Sequence, residues 1–328
     1  MNEITATSTA AATAAGRPPE PDWPTVTPEE LAAYSAAENR FRASDAARAL
    51  TGTPDPGATI TWETVTLPDR EVRVRVHRPA GRDDGRGPDG AALPLVLHTH
   101  GGGYVGTAVQ SDWVTSHLAA RLPALVVSVE HRLLSPDTPL AAAADDGWDV
   151  LRHVVRNAER WGVDPARTAV FGESCGALIN TLAALRARDT GLRLRAQVLV
   201  NPAVDVTEAM LEHDSIAAYD RTPTLAVSQL DLFRRLAVPT GTDPRPLSPL
   251  HADDLGGLPP TLVVVPTLDP LADHGRRYAE RLEAAGTPTR LTEYAGAGHA
   301  FLSLPGLVPQ AEAARTEIQE FLRAALGA

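Results

Sequence analysis

The stretch TAVFGESCG sets Gly172, Ser174 and Gly176 in the pattern G-x-S-x-G, between an apolar run and a helix-like segment, CGALINTLAALRAR. A serine on a sharp strand-to-helix turn is held in a strained conformation that lifts its hydroxyl above the sheet, and small residues two before and two after let the chains pass closely. The following helix adds positive potential where negative charge develops. A serine that merely caps a helix fits the same residues, so the motif needs partners. A hydroxyl is a weak nucleophile and requires a neutral imidazole beside it. Of ten histidines, His299 in YAGAGHAF follows the last strand-like run and precedes the final helix. In a parallel sheet that loop lies at the carboxyl edge, level with Ser174, and activity should rise with pH as the imidazole loses its proton.

An acid must orient that imidazole. VVVPTLDPLADHG offers Asp269 at a strand end and Asp273 one turn into a helix. Asp269 can cap the helix that Pro270 begins and orient a histidine at the same time. Asp273 sits where negative charge suits the helix dipole. Asp269 is the preferred acid.

The run HTHGGGYVG has two competing uses. Gly101, Gly103 and Gly106 fit the dinucleotide fingerprint G-x-G-x-x-G, and Glu130 lies 29 residues after Gly101, somewhat beyond the distance expected of a ribose-binding acid. That fingerprint should open directly into a helix, whereas TAVQ intervenes here and Ser111 is the better N-cap. The alternative is an oxyanion hole, with Gly102 and Gly103 presenting unobstructed N–H groups and Cys175 a third. This use leaves no member of the Ser–Asp–His set unexplained and is preferred. Cys175 is then a small packing residue rather than a reactive thiol. His98 and His100 share a strand face, but no H-E-x-x-H or nearby third ligand accompanies them, so no metal is expected.

These groups need a scaffold. PLVLHTH, ALVVSVE, RTAVFGES, AQVLVNP and PTLVVVPTLD are short apolar runs suited to parallel strands buried on both faces. Helical patterns near 111–121, 138–161, 175–188, 271–285 and 308–326 alternate with them, and TRLTEYAG adds a late strand. The series reads as βαβ units, hence an α/β fold with a mainly parallel sheet covered on both faces. Upstream, ITWETVTL and REVRVRVHRP alternate in polarity, as antiparallel strands with one wet face do, and 81–92 is a polar loop. Residues 27–50 look like one helix, opened by a capping box of Thr27 and Glu30. Residues 203–247 break the alternation and are expected, with the helix in 23–55, to cap a core of 56–202 and 248–328. No internal repeat is visible. Residues 1–22, rich in Ala, Thr and Pro, lack the basic and apolar regions of a secretory signal and are expected to form a frayed arm.

Composition removes several classes. All 30 basic residues are arginine, which excludes Schiff-base chemistry, a Ser–Lys dyad and a P-loop lysine. A net charge of −11 argues against a nucleic-acid partner. One cysteine excludes an intrachain disulfide framework. No apolar run approaches the roughly 20 residues needed to span a bilayer. A cytoplasmic protein without cofactor is expected, with a homodimer left open.

HGGGY, EHRLLSPDTPLAAAADD, GESCG, SPLHADDLGGLPPTLVVV, DPLAD and GHAF, in that order, resemble the hormone-sensitive-lipase-like branch of α/β-hydrolases. The likeness runs from about residue 60 to the C-terminus. It implies an eight-stranded, mostly parallel sheet with a helical cap and carboxylic-ester hydrolysis through an acyl-enzyme. Ser174, Asp269 and His299 match the family's triad positions, and Gly102, Gly103 and Cys175 its oxyanion donors. Family members usually carry Asp-Ser-Ala where this chain has Glu173-Ser174-Cys175, and YRLAPE where it has HRLLSPD. A deacetylase, lactonase or acyltransferase of one metabolite remains an alternative within the fold. A non-catalytic small-molecule receptor is a third reading.

Overall fold

The computed structural model describes residues 16–81, 90–222 and 224–328. Most of the expected 81–92 loop and residues 1–15 of the expected arm lie outside the described residues. Within residues 16–22 of that arm Arg17 is ion-paired with Glu38, and just beyond it Trp23 is buried against Tyr34 and Tyr104.

Eight strands form one sheet: β1 (Ala58–Thr66), β2 (Glu71–Pro79), β3 (Leu93–Thr99), β4 (Leu125–Val129), β5 (Val163–Glu173), β6 (Ala196–Val200), β7 (Thr261–Leu268) and β8 (Thr289–Gly298). Their spatial order is β1-β2-β4-β3-β5-β6-β7-β8. β1 pairs antiparallel with β2, and β2 antiparallel with β4; every other pair is parallel. The polarity alternation of β2 reflects its one buried and one wet face, while β3, β4 and β6 are buried at every position.

Apolar side chains leave the sheet on both sides. Val96, Val126, Val198 and Leu262 pack with α2 (Asp112–Arg121) and α7 (Gln310–Leu326). Leu95, Leu97 and Val127 pack with α3 (Leu140–Arg156), and Leu199, Val263 and Val265 with α4 (Cys175–Thr190) and α6 (Ala272–Ala284). Burial of this double-faced core is the main driving force for the fold.

The strand order also locates the crevice. After β3 the chain goes to β4 on one side; after β5 it goes to β6 on the other. The loops following two adjacent parallel strands therefore diverge above the pair Thr99 and Gly172, which is where open α/β sheets bind ligands.

Two local expectations fail for a physical reason. The helix over 27–50 breaks: α1 covers Pro28–Arg42, and Ser44 turns extended before a short turn at Asp45–Ala47 and four helical residues, Arg48–Thr51. Ser44 bonds its hydroxyl back to Phe41 O, the local competition with helix at which serine excels. Ser111 does not cap α2 with its side chain. Thr107 and Gln110 instead form a capping box on a single turn, Ala108–Ser111, that leads into it. Between β6 and β7, residues 203–247 hold short turns and α5 (Val227–Ala237), with no named strand among the described residues.

Candidate active site

Ser174 sits between β5 and α4 with φ 52° and ψ −117°, a conformation that costs a non-glycine residue on the order of 1–3 kcal/mol. The turn is fixed from both sides: Ser174 N donates to Val200 O at 2.9 Å, and its carbonyl accepts from Leu178 N at 3.2 Å. No side chain fits at Gly176, because a Cβ there would overlap the carbonyl oxygen of Thr99. The G-x-S-x-G pattern is therefore a packing requirement that β3 imposes on the start of α4.

His299 follows β8, and Asp269 follows β7. His299 Nε2 lies 2.9 Å from Ser174 Oγ, and His299 Nδ1 lies 2.9 Å from Asp269 Oδ2. An ionised Asp269 only accepts, so Nδ1 carries the proton and Nε2 is left to accept from the Ser174 hydroxyl. Asp269 is fully buried, and its other oxygen takes Leu271 N at 2.8 Å, so it orients the imidazole and caps the next helical turn together. Asp273 lies outside this set. Its carboxylate accepts from Ser215 N and Arg276, fastening a short helical turn at Asp214–Ala218 to α6.

The glycine loop approaches from the β3 side. Gly102 has φ +96°, and a Cβ there would strike Val105 O, so no other residue can replace it without moving the loop. Gly102, Gly103 and Cys175 line the same cleft as Ser174, and their backbone N–H groups have no acceptor among the described residues. Burial pushes the Cys175 thiol up to about 12, which keeps it protonated and inert at neutral pH.

The same geometry disposes of the dinucleotide fingerprint. Glu130 accepts from Ala108 N at 2.7 Å and pins the turn after the glycines, so it has no ribose to meet. His98 bonds to Ser128, and His100 bonds to Gly101 O and stacks on His131. Burial holds His100 and His131 down to about 4, hence neutral. Among the described residues, no group of three His, Cys, Asp or Glu is placed to hold a metal.

Several supporting contacts have no sequence signal. Asn39 on α1 accepts from Gly106 N at 2.8 Å, and Arg42 reaches Gln110, whose amide donates to Gly101 O. Thr224 donates to His299 O at 2.8 Å. Ser303, beyond His299, donates to Glu173 at 2.7 Å. Burial raises Glu173 to about 7, although Ser303 and the nearby His299 pull it down. The cleft above Ser174 is lined by Tyr34, Leu225, Leu230, Phe233 and Leu271 among others.

Known proteins share this fold. A family described as alpha/beta hydrolase fold matches residues 96–303. The esterase LipI of Mycobacterium tuberculosis is 35% identical over 68% of this chain and 70% of its own length. Ethyl acetate hydrolase of Pseudomonas putida is 32% identical over 89% of this chain and 91% of its own. A solved ester-hydrolase from the metagenome of Lake Arreo, complexed with a derivative of bipyridine phosphonate, superposes with a TM-score of 0.85 at 32% identity over 99% of both chains. No helix among the described residues is long and apolar enough to cross a membrane. By sheet order, motif succession and these likenesses, the chain belongs to the α/β-hydrolase fold family, in its hormone-sensitive-lipase-like branch of carboxylesterases.

Proposed function

We propose that Ser174, His299 and Asp269 hydrolyse short- to medium-chain carboxylic esters, acetyl esters included, through an acyl-enzyme. The observation that carries this reading is the single imidazole bridging Ser174 Oγ and Asp269, at 2.9 Å to each, on the floor of a cleft. His299 Nε2 takes the Ser174 proton as Oγ attacks the ester carbonyl. The oxyanion that forms is met by the N–H groups of Gly102, Gly103 and Cys175, each worth on the order of 10²–10³ in rate. Collapse breaks the bond to the alcohol oxygen, which leaves with the proton held on His299. Water then gives its proton to His299 and attacks the acyl-enzyme, releasing the acid and restoring the serine. No step calls on a metal or cofactor.

The cap belongs to the proposal. Tyr34 and Arg42 from residues 23–55, and Leu225 and Phe233 from 203–247, close the cleft over the core of 56–202 and 248–328. Cytoplasmic residence and a homodimer are part of the same proposal, tested by fractionation and by mass in solution.

The direct test is labelling with a fluorophosphonate probe. The adduct should map to Ser174, and Ser174→Ala should lose both the label and the turnover of p-nitrophenyl acetate. Wild-type turnover in that variant overturns the assignment of the nucleophile.

A further inference from the structure

The ester substrate has a second feature that the cleft defines, and it rests on the ester-hydrolase reading. The cleft is chemically two-sided. Leu230, Phe233 and Leu271 make one wall apolar, while Arg17, Arg42 and Gln110 make another polar. The side that carries Arg17 and Arg42 continues into a second cavity, which Glu38, Phe41, Leu50 and Leu304 also line. The two cavities share Arg17, Arg42, Gln110, Thr224, Ala300 and Ser303, and the second touches none of the three apolar residues.

Charge is not balanced on that side. Arg17 Nε donates to both Glu38 oxygens, at 2.9 and 3.1 Å, and Arg42 Nε donates to Glu38 Oε1 at 2.9 Å. One buried carboxylate is thus divided between two guanidinium groups. Arg17 Nη2 reaches Tyr34 OH, and Arg42 Nη1 reaches Gln110. Arg17 Nη1 and Arg42 Nη2 have no acceptor among the described residues. Glu20, 3.7 Å from Arg17, is partly exposed and lines neither cavity. Glu173 faces the first cavity, but burial raises it to about 7 and Ser303 holds its carboxyl. All this stands in a chain whose net charge is −11.

Geometry also says which part of an ester faces this charge. The departing alcohol oxygen takes its proton from His299 Nε2, so the alcohol lies on the His299 side. The second cavity is lined there by Ala300, Ser303 and Leu304, which follow His299 in the chain.

We propose that Arg17 and Arg42 form an anion subsite, and that the preferred substrate is an ester whose alcohol portion carries a carboxylate seated on these two guanidinium groups. The acyl portion then lies toward Leu230, Phe233 and Leu271. Two planar forks with free N–H groups suit a carboxylate better than point charges would.

The test compares 4-acetoxybenzoate with its neutral isostere 4-acetoxybenzamide. At low ionic strength kcat/KM should favour the carboxylate by about tenfold or more, and the preference should shrink with added salt. Arg17→Gln and Arg42→Gln should each collapse the ratio toward one. Both substrates are measured on one preparation, so any misfolded fraction cancels. If neither variant folds, benzoate should inhibit the wild-type hydrolysis of 4-acetoxybenzamide more strongly than benzamide does, and equal or weaker inhibition overturns the subsite. Placing the anion on the acyl side instead, in mono-p-nitrophenyl glutarate against p-nitrophenyl pentanoate, should bring no such preference. Hydrolysis of the neutral acetate without preference for the carboxylate, a ratio unmoved by both substitutions, or a preference confined to the acyl-side pair overturns the subsite while the esterase reading stands. Hydrolysis of neither acetate overturns both.

Discussion

On the floor of the cleft, Ser174, Asp269 and His299 follow β5, β7 and β8, and the sheet dictates where the backbone runs. Above the floor, the cleft wall contributed by Arg42, Thr224 and Phe233, polar on one side and apolar on the other, belongs to α1 and to the 203–247 segment, which are fastened by side chains: Asn39 to Gly106, Arg42 to Gln110, Thr224 to His299 O. The floor tolerates few residue types, because backbone meets backbone there. The wall tolerates many, because side chains can rearrange. Reaction chemistry should therefore depend on the floor and substrate choice on the wall.

The largest effect that could break this division is on turnover. Ser174→Ala should lower kcat by about 10⁴ or more. Phe233→Ala should change which acyl chains are accepted, by on the order of 10–100-fold across a panel of p-nitrophenyl esters, because it opens the apolar wall without touching the reacting atoms. A loss of turnover with Phe233→Ala as deep as that with Ser174→Ala would show that the wall takes part in the chemistry.

Next is stability. A methyl group at Gly176 would drive into the carbonyls of Thr99 and His100, which the sheet holds in place. Gly176→Ala should cost about 3 kcal/mol or more, or prevent folding. A methyl group at Gly103 would overlap the buried Phe233 ring, which is a side chain that can turn aside rather than backbone fixed by the sheet. Gly103→Ala should cost about 1 kcal/mol in a denaturant melt and raise KM as Phe233 swings aside. Equal losses in the two variants would erase the distinction between floor and wall.

The same distinction explains what the sequence discloses. Floor residues carry local rules: Gly172, Ser174 and Gly176 obey a turn that only small residues allow, and Asp269 and His299 end apolar runs whose parallel pairing sets their height. The parallel centre of the sheet is legible because β3, β4, β6 and β7 are buried Val- and Leu-rich runs between helical patterns. Wall residues obey no such rule. Asn39 and Arg42 sit in an Ala-rich helix with nothing to mark them as partners of a loop 67 and 68 residues away. The break at Ser44 has no signal in the sequence, because serine is acceptable inside a helix until its hydroxyl finds a carbonyl to bond. Ser111 has the residue type and place of a cap because it directly precedes α2, whereas Thr107 captures the turn one step earlier, with Gln110 as its reciprocal partner.

A smaller effect sharpens the account of the floor. Glu173 neighbours the nucleophile and is tied to the loop after His299 through Ser303. Its pKa lies near 4.5 in the unfolded chain and is raised to about 7 in the folded one, chiefly by burial. Below about 4.5 both states hold the proton. Between about 4.5 and 7 the folded chain retains a proton that the unfolded chain has lost, so stability falls as pH rises, and above about 7 the loss levels off. Glu173→Gln removes this slope. The Tm of the variant minus that of the wild type should climb from pH 5 to pH 7 and then flatten. A difference independent of pH would mean that the carboxyl is already charged in the fold.

The smallest effect concerns the far end of α1. Thr27 Oγ1 accepts from Glu30 N at 3.2 Å, and Glu30 returns a bond to Thr27 N at 2.9 Å, both on exposed surface. Thr27→Ala removes one of these bonds and should cost about 1 kcal/mol, seen as a Tm lower by about 1–2 °C. The cap lies four turns from Arg42, whose position is set by Glu38 and Gln110 rather than by the helix start. Hydrolysis of p-nitrophenyl acetate should therefore match the wild type in the same assay. If it falls in step with the Tm, α1 frays as a unit and loosens Asn39 from Gly106. Wall and floor would then be coupled through the glycine loop, and the oxyanion donors would depend on a helix that the sheet does not hold.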